Sequence, residues 1–131
     1  MEIAVSQEQA RVPVTVFQVN GNLTGNSYQQ FEDMARVEIK GGAHYVLLDL
    51  TDVGYISSAG LRSLQYLLSL LPRPQASTQD AEKKGAARPI QKSPYLKLLN
   101  PSLRVLQPLQ LVGFDAFFEI YDDYRQAIDS F

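Results

Sequence analysis

Apolar and polar residues alternate along the first twenty positions and then change period, and that change sets the expected fold. Residues 2–8 alternate weakly through Ile3 and Val5, which predicts an edge strand. Val12–Val19 is a stronger strand, with Val12, Val14, Val16 and Gln18 on one face and Thr15, Phe17 and Val19 on the other. Asn20-Gly21 ends it. Asn26 or Ser27 is placed to cap a helix over 27–41, with Tyr28, Phe31, Met34 or Ala35, and Glu38 at helical spacing and Gly41-Gly42 closing it. The run His44–Leu50 is almost continuously apolar, as a central strand covered on both faces requires. Leu61, Leu64, Leu67, Leu68 and Leu71 then form an amphipathic stripe that Pro72 stops.

The stretch 73–94 differs in kind. It holds three prolines and few large apolar residues, and reads as a long surface insertion loop of mobile character. Order resumes with a strand at 95–99. Asn100-Pro101 reads as a cap followed by proline at the first helical position, ahead of a helix through Leu103, Leu106 and Leu109 that Pro108 should kink or shorten. Phe117–Tyr121 makes a last strand. Asp122 caps a final helix that packs through Tyr124, Ala127, Ile128 and Phe131. The alternation predicts one α/β domain over 1–131: a mixed, largely parallel sheet of about five strands packed with about four helices.

Composition narrows the function. The chain has 131 residues, 45% of them hydrophobic, which suffices for one core. A formal net charge of −2 predicts no bulk attraction to nucleic acid. The absence of cysteine excludes disulfides, thiolate zinc sites and cysteine nucleophiles. No apolar run approaches the ~18 residues of a membrane span, and Glu2 stands where a signal peptide carries positive charge, so a soluble cytoplasmic chain is expected.

Enzyme chemistry finds little footing. His44 is the single histidine, at the start of an expected strand where a structural role is usual. There is no G-x-S-x-G elbow and no phosphate-cradling G-x-x-x-x-G-K-[ST] loop. Glu32-Asp33 and Asp122-Asp123 are adjacent in sequence, which on a helix does not make an acid/base couple. Neither catalytic residues, nor a metal, nor a cofactor is expected.

The informative stretch is Asp49–Arg62, where a central strand leads through a tight turn into a helix with Ser57 and Ser58 at its start. One reading is ordinary helix capping, worth ~1 kcal/mol. The other is a phosphate site: a helix N-terminus carries free N–H groups and partial positive charge, and a phosphoserine there adds about −1.5 to −2 charges to an otherwise apolar surface.

At this stretch the sequence resembles a STAS domain, the fold of bacterial anti-sigma-factor antagonists. Asp49-Leu50-Thr51-Asp52-Val53-Gly54-Tyr55-Ile56-Ser57-Ser58-Ala59-Gly60-Leu61 is similar to the family signature D-L-[ST]-x-V-x-[FY]-[IM]-[DS]-S-[STA]-G-L. Gly21-Asn22-Leu23-Thr24 occupies the place of the family's G-x-L-D turn, and Leu98–Pro101, Leu109–Phe118 and Tyr121-Asp122 resemble its last strand-helix-strand unit. The resemblance implies a partner switch. An anti-sigma factor that is also a serine kinase phosphorylates Ser58, the unphosphorylated form captures that factor, and a serine phosphatase resets the system. The implied contact surface comprises Gly21, Asn22, Leu23 and Thr24 in the turn, Thr51, Asp52, Tyr55, Ile56, Ser57 and Ser58 in the loop, and Gly60, Leu61 and Leu64 on the helix.

Four features depart from the family pattern. Ser57 and Thr24 replace aspartates, Pro108 interrupts a helix, and the 73–94 loop is long. Residues 73–97 carry six basic against two acidic side chains, a net +4 that leaves −6 on the rest, so the loop is either simply solvated or placed to touch an acidic surface. The alternative function is a STAS subunit without a phosphate switch, within a lipid-transport complex or a stress-signalling scaffold.

Overall fold

The computed structural model describes residues 1–72 and 92–131. The expected loop over 73–94 therefore lies outside the described residues except for its last three positions. Among the described residues the elements run β1 (Glu2–Gln9), β2 (Pro13–Asn20), α1 (Tyr28–Lys40), β3 (Val46–Asp52), α2 (Ser58–Leu70), β4 (Leu96–Leu99), α3 (Leu103–Leu111), a 3-10 turn (Phe114–Phe117), β5 (Glu119–Tyr121) and α4 (Tyr124–Asp129). This is the single α/β domain that the periodicity predicts.

The strands lie in the order β1-β2-β3-β4-β5, with β1 antiparallel to β2 and every later neighbour parallel. Each new parallel strand adds on the same side of the last. Right-handed crossovers must then place α1, α2 and α3 on one face of the sheet. The buried residues agree: Phe31 and Ala35 of α1, Leu64 and Leu67 of α2, and Val105 and Leu109 of α3 join Phe17, Leu48 and Leu50 in one cluster. Opposite, α4 buries Ala127 and Ile128 against Val14, Val16, Leu47 and Leu99. Strand β3 is covered on both sides, as its unbroken apolar run requires.

Helix ends follow local chemistry. Helix α1 closes on a Schellman motif, Ala43 N–H to Glu38 O at 3.0 Å and Gly42 N–H to Ile39 O at 3.1 Å. Gly42 has φ +116°, a conformation that a side chain would strain.

Several local expectations are corrected. Asp123, not Asp122, caps α4: its Oδ1 accepts from Gln126 N–H at 2.9 Å, three residues on, the reach that a capping side chain needs. Asn100 is no cap. It takes a left-handed φ of 57°, which Asn tolerates, and Ser102 stands at the cap position of α3. Helix α3 buries Val105 and Leu109, whereas Leu103 is 69% exposed and Leu106 half-buried. Its nine residues end three positions after Pro108, whose missing N–H leaves the Arg104 carbonyl without its helical donor. The last strand is shorter than 117–121, because turn bonds such as Phe118 N–H to Asp115 O occupy the backbone before it. His44 lies outside β3 and is exposed, edge-on to Tyr45 and Tyr95 at ring distances of 5.0 and 4.8 Å.

Lys97 and Lys92 do not belong to a free basic loop. Lys97 is buried within β4, and its Nζ donates to Ser130 O (2.9 Å) and Oγ (3.0 Å) and pairs with Glu119 at 3.2 Å. Lys92 Nζ donates to Phe118 O, and the buried Ser93 accepts from the Tyr95 and Leu96 amides. Among the described residues no helix is long and apolar enough to cross a membrane.

Candidate functional site

Parallel strands deliver the loops that follow them to a single edge of the sheet, and in open α/β folds that edge is where binding surfaces form. Here the turn after β2, the loop after β3 and the segment after β4 meet. Their sequence distance is large; their hydrogen bonds are direct.

The first two are joined by backbone. Gly21 N–H donates to Asp52 O (3.2 Å), Leu23 N–H to Tyr55 O (3.0 Å) and Ser57 N–H to Leu23 O (2.9 Å). Leu23 and Ile56 form an isolated parallel bridge, and both are buried. The sheet thus continues past the ends of β2 and β3 and fixes the approach to α2. Within the turn, Ser27 Oγ accepts from Thr24 N–H (3.0 Å) and donates to Asn22 O (2.7 Å). Ser27 therefore holds the turn shut and makes no side-chain cap bond to α1, contrary to its expected role.

The loop after β3 is anchored by its own side chains. Asp49 Oδ1 accepts from Thr51 N–H (3.0 Å) and Oγ (2.6 Å), while Asn100 Nδ2 donates to Thr51 Oγ1 (3.3 Å). Ser102 Oγ donates to Val53 O (3.4 Å), and the Arg104 guanidinium lies 5.7 Å from the centre of the Tyr55 ring. Asn100, Ser102 and Arg104 were not foreseen as site residues. The parallel order of β3 and β4 is the signal that could have found them.

At the head of α2 the two serines separate. Ser57 is the N-cap, half-buried, and its Oγ accepts from Gly60 N–H at 3.4 Å. Ser58 is the first helical residue and is exposed. The capping role thus falls to Ser57 and leaves Ser58 outside it. Gly60 is buried where the helix crosses the turn: a Cβ there would come within 2.5 Å of Leu23 O and 2.6 Å of Ile56 Cγ1. Only glycine lets the helix enter this close.

The structure brings all thirteen predicted surface positions to this edge, in two classes. Asn22, Thr51, Asp52, Tyr55 and Ser58 are exposed, with Gly21, Thr24, Ser57 and Leu61 half-buried between them. Leu23, Ile56, Gly60 and Leu64 are buried and offer no side-chain surface; they are the floor on which the others stand. His44 is remote. It precedes β3 whereas Ser58 follows it, and the seven-residue strand puts roughly 20 Å between them. A Ser58–His44 nucleophile couple is excluded on distance.

Comparison with known proteins gives the lineage. No curated protein matches this chain. Among solved structures it is similar to an anti-sigma factor antagonist from Mycobacterium paratuberculosis, with 17% identity, 97% of this chain and 92% of that one covered, and a TM-score of 0.70. It is also similar to the antagonist SpoIIAA in its unphosphorylated form (17% identity, 96% and 94% covered, TM-score 0.64), a Bacillus protein solved in a phosphorylated form as well. A sulfate transporter family protein from Wolinella succinogenes shares the fold at 20% identity, with 87% and 80% covered and a TM-score of 0.57. At these identities the likeness is one of fold. The STAS domain family model matches residues 4–77, more than half of the chain. This chain belongs to the STAS domain family.

Proposed function

We propose that this STAS domain is a non-enzymatic, cytoplasmic anti-sigma-factor antagonist that works as a partner switch in transcription regulation. A partner that is both anti-sigma factor and serine kinase binds the edge around Ser58 and is released once Ser58 is phosphorylated. In the transfer, Ser58 Oγ forms a bond to the γ-phosphorus of a nucleoside triphosphate. The bond to the β-phosphate oxygen breaks, and the hydroxyl proton passes to a base of the kinase. A phosphatase reverses the state by hydrolysis.

One observation carries this reading. Ser58 is exposed as the first residue of α2, directly after the anchored loop, while its neighbour Ser57 does the capping. A charge added at Ser58 therefore alters the surface without removing a structural bond. About −1.5 to −2 charges beside exposed Tyr55 is costly for a partner that must desolvate that surface. The test is capture of the cognate partner. Ser58→Asp lowers affinity by about tenfold or more, ~1.4 kcal/mol, with an unchanged unfolding midpoint. Undiminished capture by Ser58→Asp rejects the reading.

The similarity to a sulfate transporter family protein favours a second reading. There the domain is a subunit of a larger assembly, such as a lipid-transport complex or a signalling scaffold, and Ser58 stays unmodified. The absence of carboxylates at Thr24 and Ser57 fits that role.

A further inference from the structure

Helix α2 carries one charged side chain in thirteen residues, Arg62. Its exposed positions, Ser58, Arg62, Gln65 and Ser69, fall at i, i+4, i+7 and i+11 and so form one stripe opposite the buried Leu64 and Leu67. Arg62 thus stands one turn beyond Ser58 on the same face, where Cβ atoms are about 6 Å apart. Helical side chains lean toward the N-terminus, so the long arm of Arg62 leans toward Ser58. The first turn of α2 holds no acidic residue to compete for it. A guanidinium fork takes a phosphate in two parallel hydrogen bonds, a match that an ammonium does not make.

We propose that in the phosphorylated chain the Arg62 guanidinium closes on the Ser58 phosphate, so that modification adds an anion to the partner-facing surface and withdraws the one cation that α2 supplies. The inference rests on the phospho-switch reading and names how that site is regulated. Before modification, Arg62 is open to a carboxylate of the partner. Afterwards it is engaged within its own helix. The partner then meets a new negative charge and loses a positive contact in the same event.

The experiment uses the full chain with phosphoserine incorporated at position 58 during synthesis, so that no kinase is involved. Phosphorus NMR follows the second ionisation of the phosphate against pH. A nearby guanidinium favours the dianion, so the midpoint in the parent lies below the usual value of about 6. Arg62→Gln raises it by roughly half a unit, the size expected of an exposed charge-assisted pair. Arg62→Lys restores part of the shift, and Arg125→Gln, on the exposed side of α4 across the sheet, leaves it unchanged. Identical titration of the parent and Arg62→Gln overturns the proposal. Failure of the switch reading itself would show separately, as an unphosphorylated Ser58 in the native cell.

Discussion

The carbonyl of Leu23 accepts from the amide of Ser57 at 2.9 Å, and the same oxygen would lie 2.5 Å from a Cβ placed on Gly60. One backbone atom therefore fixes both the turn after β2 and the depth to which α2 enters. Gly60→Ala decides between two opposed effects. Helix propensity alone favours alanine by about 1 kcal/mol, and overpacking against backbone costs about 1–3 kcal/mol. Because the close atoms include an immobile carbonyl, the clash wins. A lowered urea midpoint is expected, and an unchanged or raised one would contradict this account of the helix entry.

Ser57→Ala and Ser58→Ala separate the roles of the two hydroxyls. The first removes the cap on Gly60 N–H and costs about 0.5–1 kcal/mol, at the low end because that bond is 3.4 Å long. The second removes an exposed hydroxyl and changes stability by less than about 0.5 kcal/mol. Chemical denaturation of both variants checks the order. A larger loss from Ser58→Ala would return Ser58 to a structural role.

Lys97 holds α4 in place. Its ammonium caps the helix end through Ser130 O and Oγ and pairs with Glu119, while the Phe131 ring lies 4.7 Å from Nζ. Lys97→Met keeps the apolar stem and removes every polar contact. Glu119 remains partly solvated, so the loss is that of the cap bonds, about 1–3 kcal/mol. Hydrogen exchange at Ala127 and Ile128 should accelerate while β3 amides keep their protection. Parent-like protection of α4 would contradict the assignment.

Acid titration should report on α1. The Asp33 carboxyl is held below its ordinary 3.8, first by the hydrogen bond from Gln29 and next by that from Arg36. A carboxyl with a depressed folded-state pKa adds stability above its unfolded value, and that contribution is lost as pH falls through the folded value. Asp33→Asn should therefore be less stable than the parent at pH 6, with the gap closing below pH 3.8. Urea midpoints from pH 6 to 2.5 test this; a gap independent of pH would assign the loss to something other than ionisation.

The parts of this fold that were legible in sequence are those whose pattern admits one reading. The β3 run and the α2 stripe are of that kind, and the strand-turn-helix at 49–61 is contiguous, so its site residues stood together in the chain. Helix α3 was misphased because Leu103, Val105, Leu106, Leu109 and Leu111 place apolar groups around most of nine residues. Only the tertiary setting turns Val105 and Leu109 inward and leaves Leu103 in solvent. The same limit applied to Ser57 and Ser58. Which of them caps depends on where the helix begins, and that is set by the bridge between Leu23 and Ile56. Asn100, Ser102 and Arg104 reach the site only through the parallel pairing of β3 with β4.

The central claim is that Ser58 is a phosphate switch. The most direct measurement is intact mass with peptide fragmentation on the protein taken from its native cells, in growth and under stress. The account predicts a single phosphate, on Ser58, whose occupancy changes with condition. A chain that stays unmodified in both would contradict it and leave the domain as an unswitched STAS subunit.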